Sequence, residues 1–491
     1  MKNTRTLIQA IVLAIAGTAG LGEEPIQVPL GQRQLFLDDY CVAKTDALQK
    51  TMHSPEKKGA VVCPDQPWEV WLQTRCAPAW DEEQQIFKLW LLTCPPDPQF
   101  AGTTYAESKD GIHWSKPSLG QKDYHGSTAN NFVTTDPRLP WGPNCIESVV
   151  YDAKDSDPTR RYKGLMGAEY RVPVVSPDGI HWKQLDAAKL TSSDEGNLCY
   201  DPITSTFIAT LKTFVKHGRA HAFWTSKDFV NWTRLPGVFQ TDDGDQRLAK
   251  ETIKARLADA TLQQPVCNNP ADYNADVYNL GLFRYEGLYV GLPAVYYATG
   301  KDAAGTNTDG FHLIQLACSR DLRTWQRLGD RRPFIGPSPV ASGAYDLTQL
   351  LPPSAAVVHG DELWFYYTGL KYREPPKNAD AKSGAVCLAT LRRDGFISLD
   401  AGENAGTLVT RRFAAGGAKL CVNADAAGGN WNVEVLDDEG NAMATSETIA
   451  GDQRHAIVSW KSGDWAKLHG QTVHLRFTLR GTRFYSFWLE D

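Results

Sequence analysis

The chain has 491 residues, and 51 Lys and Arg against 57 Asp and Glu leave a formal net charge of −6 at pH 7. A hydrophobic fraction of 42% with 22% charged residues excludes a disordered chain, a collagen-like repeat and a multi-span membrane protein. The mildly acidic balance, without a run of Lys or Arg, argues against nucleic acid as a partner. The 15 Trp, 18 Tyr and 18 Phe indicate a Trp-plugged repeat architecture or a surface that stacks sugar rings.

The first residues have the layout of a secretory signal peptide. Lys2 and Arg5 are basic, residues 7–16 (LIQAIVLAIA) are apolar, and small residues follow them. This run is too short to be a permanent membrane anchor, and no other stretch approaches the length of a membrane span. We therefore expect a signal peptide at residues 1–22 and a secreted or periplasmic protein with no membrane span.

The ten cysteines include no Cys-x-x-Cys pair, which disfavours a thiolate zinc site. We expect most of them to be small buried hydrophobes. Export permits disulfides, and the four cysteines from Cys41 to Cys94 are the best candidates for a bridge.

A repeat organises the middle of the chain. The pattern Ser-x-Asp-x-x-x-Trp occurs as SKDGIHW, SPDGIHW, SKDFVNW and SRDLRTW, which begin at Ser108, Ser176, Ser226 and Ser319, and Asp394–Gly395 is a degenerate fifth copy. Each full copy follows an alternating apolar strand, and its polar side chains are typical of a turn. Recurrence at fixed internal spacing predicts equivalent outer turns of a repeat protein rather than binding sites.

The repeat predicts an all-β protein, in which a five-bladed β-propeller is followed by a C-terminal β-sandwich. Five units of about 70 residues, each with short strands, lie between residues 60 and 400. We place the propeller at 35–400, with the strand around 35–40 pairing with a late blade to close the ring. Residues 246–264 are predicted to form a helical insertion, and the short alternating strands of 401–491 to form the sandwich.

A carboxylate stands at or near the start of every predicted blade. Because inner strands of a propeller start near the axis, we expect these acids to converge on one funnel, where like charges raise the pKa of at least one of them. A neutral acid beside an ionised one is what glycoside hydrolysis requires. An axial Ca²⁺ is the structural alternative for the same convergence. The candidate catalytic residues are Glu69, Glu147, Asp194, Glu195, Asp276 and Asp346.

Other constellations in the sequence are weaker. His217 and His221 have the spacing of a helical metal pair, but their flanks (FVKHGRAHAFW) are typical of a hairpin, so we expect no metal site there. No GxSxG, GxxxxGK[ST] or strand-to-helix GxGxxG motif is present, so serine-hydrolase, P-loop and Rossmann activities have no support.

Several motifs give the chain a family resemblance. LFLDDY (Leu35–Tyr40), PWE (Pro67–Glu69), DEGNLCYD (Asp194–Asp201), GDELWFYY (Gly360–Tyr367) and the SKDGIHW and SPDGIHW turns occur together. With these motifs the chain resembles secreted bacterial proteins that are similar to glycoside hydrolase families thirty-two and forty-three, and its closing segment resembles their C-terminal sandwich. The Asn-Asp-Pro motif of fructosidases is absent from blade one, which disfavours fructans as the substrate.

The resemblance implies roles for three of the acids. It makes Glu69 the base or nucleophile, Glu147 the residue that orients and tunes, and Asp194 or Glu195 the general acid. We therefore expect an exported glycosidase that acts on a poly- or oligosaccharide and needs no cofactor, with substrate contacts from Trp68, Arg75, Asn131 and Asn197.

The alternative is a non-catalytic carbohydrate-binding propeller. It would use Trp68, Trp71 and Trp141 as stacking platforms. Arg75, Arg171 and Arg373 are candidates to meet an anionic sugar, although each is also of the type that forms surface or structural ion pairs.

Overall fold

The chain folds into five small β-sheets and one large one. The computed structural model describes residues 24–491, except 94, 96, 138–144, 303, 306 and 378. The predicted signal peptide at residues 1–22 therefore lies outside the described residues. The five small sheets are the blades of a propeller, and a twelve-stranded sheet curls at the C-terminal end. The prediction of a five-bladed β-propeller is confirmed.

The strands follow one another along the chain blade by blade. Ahead of the first blade are β1 (Gln34–Leu35), β2 (Val42–Asp46), β3 (Gln49–Met52) and β4 (Glu56–Val62). Blade one holds β5 (Ala79–Asp81), β6 (Ile86–Thr93) and β7 (Gly102–Ser108). Blade two holds β8 (Thr134–Asp136), β9 (Ile146–Tyr151), β10 (Tyr162–Met166), β11 (Tyr170–Ser176), β12 (His181–Gln184) and β13 (Leu190–Thr191). Blade three holds β14 (Gly196–Asp201), β15 (Thr206–Val215), β16 (Gly218–Ser226) and β17 (Thr233–Phe239).

The second half of the propeller has two blades. Blade four holds β18 (Asn274–Tyr285), β19 (Leu288–Lys301), β20 (Thr308–Ile314), β21 (Ala317–Ser319) and β22 (Gln326–Arg327). Blade five holds β23 (Gln349–Leu351), β24 (Val357–His359), β25 (Glu362–Leu370) and β26 (Gly384–Arg392). The later strands are β27 (Ile397–Ala401), β28 (Gly406–Thr410), β29 (Phe413–Ala414), β30 (Lys419–Leu436), β31 (Ala442–Ser446), β32 (Ile449–Ile457), β33 (Trp460–Ser462), β34 (Thr472–Arg480) and β35 (Thr482–Glu490).

Helices are short and few among the described residues. The α-helix α1 spans Asp243–Ala258. The 3-10 turns are Pro98–Phe100, Pro158–Arg160, Pro270–Asp272, Gly329–Arg331, Val340–Ser342 and Trp465–Leu468. Helix α1 begins at a capping box between Asp242 and Asp245, and it packs Ala249 and Ile253 against blade four. It coincides with the first part of the predicted insertion at 246–264.

The four Ser-x-Asp-x-x-x-Trp motifs form the same turn at the same place. Each follows the strand that is third when the strands of a blade are counted outward from the axis, namely β7, β11, β16 and β21. In the first copy the Oγ of Ser108 accepts a hydrogen bond from the N–H of Gly111, and Asp110 Oδ1 accepts from the next two N–H groups. Trp114 Nε1 closes the turn by donating to the carbonyl of Gly111. The degenerate copy at Asp394 also follows the third strand of its blade, β26, but its carboxylate bonds elsewhere.

Two of these turns also bind the neighbouring blade. The carbonyl of Gly111 accepts a hydrogen bond from the hydroxyl of Tyr366 in blade five, and the carbonyl of Gly179 accepts one from Trp90 Nε1 in blade one. A Cβ at Gly111 would lie 2.5 Å from the Tyr366 hydroxyl oxygen, and its φ is +76°. Glycine is required here both by the left-handed backbone and by the close approach.

The ring is closed by β4 rather than by the strand near residue 35. Strand β4 pairs with β26 as the outer strand of blade five, from Glu56↔Thr390 to Val62↔Val386. Strand β1 pairs with β35 of the C-terminal sheet instead. The prediction that residues 35–40 pair with a late blade is therefore wrong, because Leu35, Phe36 and Leu37 are buried in the core that the propeller shares with the large sheet.

The C-terminal region is organised by one long strand. The first half of β30 lies between β32 and β35, and its second half lies between β31 and β34. Strand β27 joins the same sheet, as do β1, β2 and β3 from the start of the chain. The sandwich and the domain limits at residues 35, 400 and 401 stay predictions, since strands from both sides of residue 400 share this sheet.

The nine described cysteines are free thiols, and six of them are buried. Cys41, Cys63 and Cys76 form no bridge with one another, and Cys94 lies outside the described residues. Within the part of the chain that is described, no helix is both long and apolar enough to cross a bilayer.

Candidate active site

The starts of the inner strands of blades two, three and four carry four carboxylates, and each binds its own cation. Glu147 is the second residue of β9, Asp194 and Glu195 precede β14, and Asp276 is the third residue of β18. The ion pairs are Glu147–Arg171 at 2.7 Å, Asp194–Lys212 at 2.7 Å, Glu195–Arg75 at 2.8 Å and Asp276–Arg219 at 3.2 Å. We call these eight side chains the funnel cluster. The pairing offsets the repulsion between the carboxylates.

Glu147 is held against the backbone that leads into β14. Its Oε2 accepts hydrogen bonds from Arg171 Nη2 (2.7 Å) and from the N–H of Gly196 (3.0 Å). The same Nη2 of Arg171 also donates to the carbonyl of Asp194. Burial raises the pKa of Glu147, the charge of Arg171 opposes this rise, and the nearby charge of Glu195 adds to it. Glu147 therefore tends to keep a proton, and its Oε1 is the oxygen left to carry it.

Glu195 is held in its ionised form by Arg75 and Lys212. Arg75 forms a bidentate ion pair with Glu195, with Nε 3.0 Å from Oε2 and Nη2 2.8 Å from Oε1. Asn279 Nδ2 donates to Oε2 at 3.2 Å. Burial alone would raise the pKa of Glu195, but the charges of Arg75 and Lys212 and these hydrogen bonds lower it to about 2. Two carboxyl groups of one cluster thus have pKa values shifted in opposite directions.

Asp194 is the exposed acid of the cluster. Its side chain is 54% exposed, whereas its partner Lys212 is buried. Its backbone has φ +124°, which is a strained conformation for a residue with a side chain. Hydrogen bonds from Arg171 and from the Ser192 hydroxyl to the Asp194 carbonyl hold this conformation. Backbone strain therefore directs one carboxylate outward at the mouth of the cluster.

The ring of Tyr278 brings three cations together. Lys212 Nζ lies 4.0 Å from its centroid, and the guanidinium carbons of Arg219 and Arg373 lie 4.9 Å and 5.6 Å from it. The two arginines also face the ring of Tyr296, at 4.9 Å and 5.7 Å. Arg373 follows β25, so blade five contributes to the site as well.

Two fully buried histidines, His221 and His312, interact electrostatically with the cations of this site. No hydrogen-bond partner is found for either ring nitrogen of His221 or of His312 among the described residues. Burial lowers the pKa of His221 to about 3, with Lys212 acting in the same direction. Burial also lowers the pKa of His312 strongly, and the charges of Arg373, Arg219, Lys212 and Arg75 lower it further. Both rings are neutral, and the surroundings of His312 are electropositive.

A groove of about 260 Å³ lies beside the cluster. Its walls include Trp71, which is 44% exposed, together with Tyr372, Arg373 and Asp380. Asp380 is paired with Lys371 at 2.7 Å. Arg373 therefore lines this groove and also faces the Tyr278 ring, so it connects the groove with the funnel cluster.

Two of the six predicted catalytic acids bind elsewhere. Glu69 is fully buried and binds Lys116 at 2.7 Å and the N–H groups of Asp65 and Gln66. Burial raises its pKa, against the charge of Lys116. Asp346 binds Lys57 of β4 at 2.7 Å and the hydroxyl of Tyr367. Among the described residues, neither of these two side chains forms a hydrogen bond or an ion pair with a member of the funnel cluster.

The predicted substrate-binding residues also divide into two groups. Arg75 belongs to the cluster, and Asn197 lies beside it with its Oδ1 3.4 Å from the Ser148 hydroxyl. Trp68 and Asn131 are both buried and bind each other, with Trp68 Nε1 donating to Asn131 Oδ1 at 3.0 Å. They hold blade one together rather than face a ligand. Trp141 lies outside the described residues.

The electrostatics of the cluster do not favour a metal cation. Each of its carboxylates already binds a guanidinium or an ammonium group, and this pairing offsets the negative charge that would attract an axial Ca²⁺. The hairpin predicted around His217 and His221 is present as β15 and β16. Within the described residues, the one group with metal-ligand geometry is Cys421, His455 and Glu490 in the C-terminal sheet. Both oxygens of Glu490 are already hydrogen-bonded there, to Trp488 and His455.

Sequence reasoning missed the cations and aromatic rings that complete the cluster. These residues are Lys212, Arg219, Tyr278, Asn279, Tyr296 and His312. A lysine inside the apolar strand TFIATLKTFV is a visible signal for Lys212. The signal is not specific, since Lys88 in IFKLWLLT is equally buried and binds Asp81 within the sheet of blade one.

Comparison with known proteins identifies fold neighbours only. No protein-family model matches the chain, and no curated protein matches it. Among solved structures, a glycoside hydrolase is similar with 13% identity and a TM-score of 0.43, covering 69% of this chain and 92% of its own. A Bombyx mori family-32 β-fructofuranosidase has 10% identity and a TM-score of 0.38, covering 89% of this chain and 94% of its own. A Bacillus subtilis family-43 arabinoxylan arabinofuranohydrolase has 9% identity and a TM-score of 0.38, covering 88% of this chain and 99% of its own.

Proposed function

We propose that the protein is an exported glycoside hydrolase whose acid pair is Glu147 and Glu195. The observation that carries this proposal is the opposite shift of their pKa values within one cluster of a propeller. Pairs of carboxyl groups driven apart in this way divide into an acid and a base. The layout of residues 1–22 supports export.

The proposed reaction uses the two groups in sequence. The proton on Glu147 is transferred to the glycosidic oxygen as the bond from that oxygen to the anomeric carbon breaks. The ionised Glu195 stabilises the positive charge that develops on the sugar ring, and either its own oxygen or a water that it deprotonates forms the new bond to the anomeric carbon. If the oxygen of Glu195 forms the bond, a water that gives its proton to Glu147 then displaces Glu195 from the anomeric carbon and releases the sugar. Asp194, exposed at the mouth of the cluster, lies where it can bind sugar hydroxyls.

These roles differ from those that the family resemblance implied. Glu69 has no exposed surface and pairs with Lys116 outside the funnel cluster, so this proposal gives it no part in the reaction. The blade-two acid Glu147 takes the role of proton donor, because its pKa is raised, while the blade-three acid Glu195 is ionised.

A non-catalytic carbohydrate-binding propeller is the second candidate. This candidate is favoured by the bidentate ion pair between Arg75 and Glu195, because both oxygens of that carboxylate are already bound. A binding protein needs such acids only as fixed hydrogen-bond acceptors. The exposed Trp71 would serve either function as a stacking surface.

Turnover by three matched variants decides between the two candidates. Purified protein is assayed for product release from 4-nitrophenyl glycosides of pentoses, hexoses and uronic acids and from plant and algal polysaccharides. We expect Glu147→Gln and Glu195→Gln each to lower kcat by about 10²-fold or more, while Glu403→Gln, on the exposed surface, retains activity. Glycan binding without product release in the wild type, unchanged in both funnel variants, contradicts the hydrolase and supports the binding protein.

A further inference from the structure

One cation at the mouth of the site forms no ion pair with a carboxylate among the described residues. Four cations of the funnel cluster each bind one of its carboxylates. Arg373 is a fifth cation, and among the described residues no carboxylate lies within ion-pair distance of it. Its hydrogen bonds run to the carbonyl of Thr308 and to the hydroxyl of Tyr278, each at 3.4 Å.

Two other cations share aromatic contacts with Arg373, while the negative charge of Glu195 acts on it without forming an ion pair. Lys212 and Arg219 face the same Tyr278 ring, and Arg219 shares the Tyr296 ring with Arg373 as well. Burial is the main cause of the strongly lowered pKa of His312, and the charges of these three cations lower it further. Glu374, the next residue in the chain, interacts electrostatically with Arg373 but does not form an ion pair with it.

Arg373 is also accessible from the outside. It lines the groove of about 260 Å³ with Trp71 and Tyr372. The only carboxylate in the wall of that groove among the described residues is Asp380, whose charge is offset by Lys371. A sugar stacked on Trp71 would therefore meet a guanidinium fork whose two hydrogen bonds at 3.4 Å are both weak.

We propose that the glycan bound at this site carries an anionic group, a carboxylate or a sulfate ester, and that Arg373 binds that group. The proposal deepens the proposed function, on which it rests for the location of the sugar. A guanidinium matches both groups because it donates two parallel N–H hydrogen bonds to two of their oxygens at once. The ligand places its negative charge between the groove and the Tyr278 ring, where it pairs with Arg373, the one cation at that ring that forms no ion pair with a carboxylate among the described residues.

Binding to matched glycans tests this proposal. The probes are polygalacturonate oligosaccharides and their carboxyl-reduced form, and κ-carrageenan oligosaccharides and their desulfated form. Calorimetry is run on the full chain with the Glu147→Gln substitution, so that no product forms. We expect at least one charged probe to bind about tenfold or more tightly than its uncharged form, and added salt to reduce this difference. The pair that shows the difference identifies the group as carboxylate or sulfate.

Variants of Arg373 locate the effect. Arg373→Gln should remove most of the preference for the charged probe and Arg373→Lys part of it, while Arg323→Gln, which removes an exposed arginine, leaves it intact. Thermal unfolding confirms that each variant is folded. Equal binding of charged and uncharged forms in both pairs, no binding of any probe, or a preference that survives Arg373→Gln overturns the proposal.

The two proposals fail in different ways. An anionic probe that binds through Arg373 in the Glu147→Gln chain but is not cleaved by the wild type leaves this inference standing and removes the hydrolase. Cleavage of neutral glycans that depends on Glu147 and Glu195, with no preference for charged glycans, supports the hydrolase and overturns the inference that the ligand is anionic.

Discussion

Glu147 and Glu195 belong to neighbouring blades, yet they share one stretch of backbone. The N–H of Gly196, the first residue of β14, donates to Glu147, and Arg171 spans Glu147 and the carbonyl of Asp194. Arg75 reaches Glu195 from blade one. The stronger cationic hold on Glu195 separates the two pKa values, because burial by itself raises both of them.

The opposite pKa shifts predict opposite pH dependences of stability. A lowered pKa contributes stability that is present above the unfolded pKa near 4.5 and is lost as the pH falls toward about 2. A raised pKa contributes stability that is present below 4.5 and is lost as the pH rises through the folded pKa. Glu195→Gln should therefore cost most at pH 7, on the order of 3 kcal/mol because Arg75 loses its partner, and less toward pH 3. Glu147→Gln should be tolerated better at pH 7 than at pH 4.

Thermal unfolding between pH 3 and pH 8 measures, without any substrate, how the stability cost of each of the two substitutions changes with pH. Glu403→Gln is the control, because this exposed side chain lies outside the funnel cluster. If the stability costs of Glu147→Gln and Glu195→Gln changed with pH in the same direction, the pKa values of the two groups would not be shifted in opposite directions. The acid–base assignment would then lose its basis.

The position of an acid at the start of a strand could be predicted from the sequence, whereas its partner could not. Glu147, Asp194, Glu195 and Asp276 were found in this way. Asp346 has the same signature, but Lys57 from a strand far away in the sequence binds it outside the cluster. What separates these acids is which cation the fold brings to each one, and such long-range pairing leaves no local pattern.

The turns are the elements that connect the blades. In each copy the Ser and Asp side chains satisfy the N–H groups of the turn, and the Trp ring covers it. The residue after the Asp has positive φ in all four copies, with glycine in two of them and Phe229 and Leu322 in the others. Glycine occurs where the backbone touches an aromatic side chain of the neighbouring blade.

Alanine at two glycines separates backbone strain from contact between blades. Gly111 and Gly120 both have positive φ, near +76° and +69°, but a Cβ at Gly111 meets the Tyr366 hydroxyl at 2.5 Å while a Cβ at Gly120 meets nothing within 4 Å. Gly120→Ala should cost about 1–2 kcal/mol through strain. Gly111→Ala should cost about 1–3 kcal/mol more because of the clash. Urea unfolding measures both costs, and equal costs would show that the turn does not hold blade five to blade one.

At the scale of the whole molecule, the start of the chain holds its two parts together. Strand β4 completes blade five, while β1, β2 and β3 join the C-terminal sheet. The number of blades could be predicted because each turn is encoded locally in seven residues. The strand that closes the ring could not, since Glu56–Val62 (EKKGAVV) is an edge strand with little apolar pattern and its partner β26 lies more than 300 residues away.

Asp394 is the point where these parts meet. This fully buried carboxylate accepts hydrogen bonds of 2.6 Å from Arg33 near the start of the chain, from the Tyr285 hydroxyl of blade four and from the Ser486 hydroxyl of β35. It lies where a fifth turn of the repeat would begin, directly after β26. The degenerate copy has exchanged the hydrogen bonds of a turn for contacts between the propeller and the C-terminal sheet.

Removing this carboxylate should therefore destabilise both parts at once. Asp394→Ala leaves the buried Arg33 and two hydroxyls without their acceptor, and we expect a cost of about 3–5 kcal/mol. Asp39→Ala is the matched control, since it breaks an ion pair with Lys50 whose side chains are 71% and 42% exposed, and should cost less than about 1 kcal/mol. The measurement is urea unfolding followed by tryptophan fluorescence, with the slope compared as well as the midpoint. One transition at lower urea is expected if the propeller and the sheet unfold together, because Asp394 then stabilises a shared interface. A second transition that appears only in Asp394→Ala would mean that this carboxylate is what couples them, whereas an unchanged midpoint would contradict its role.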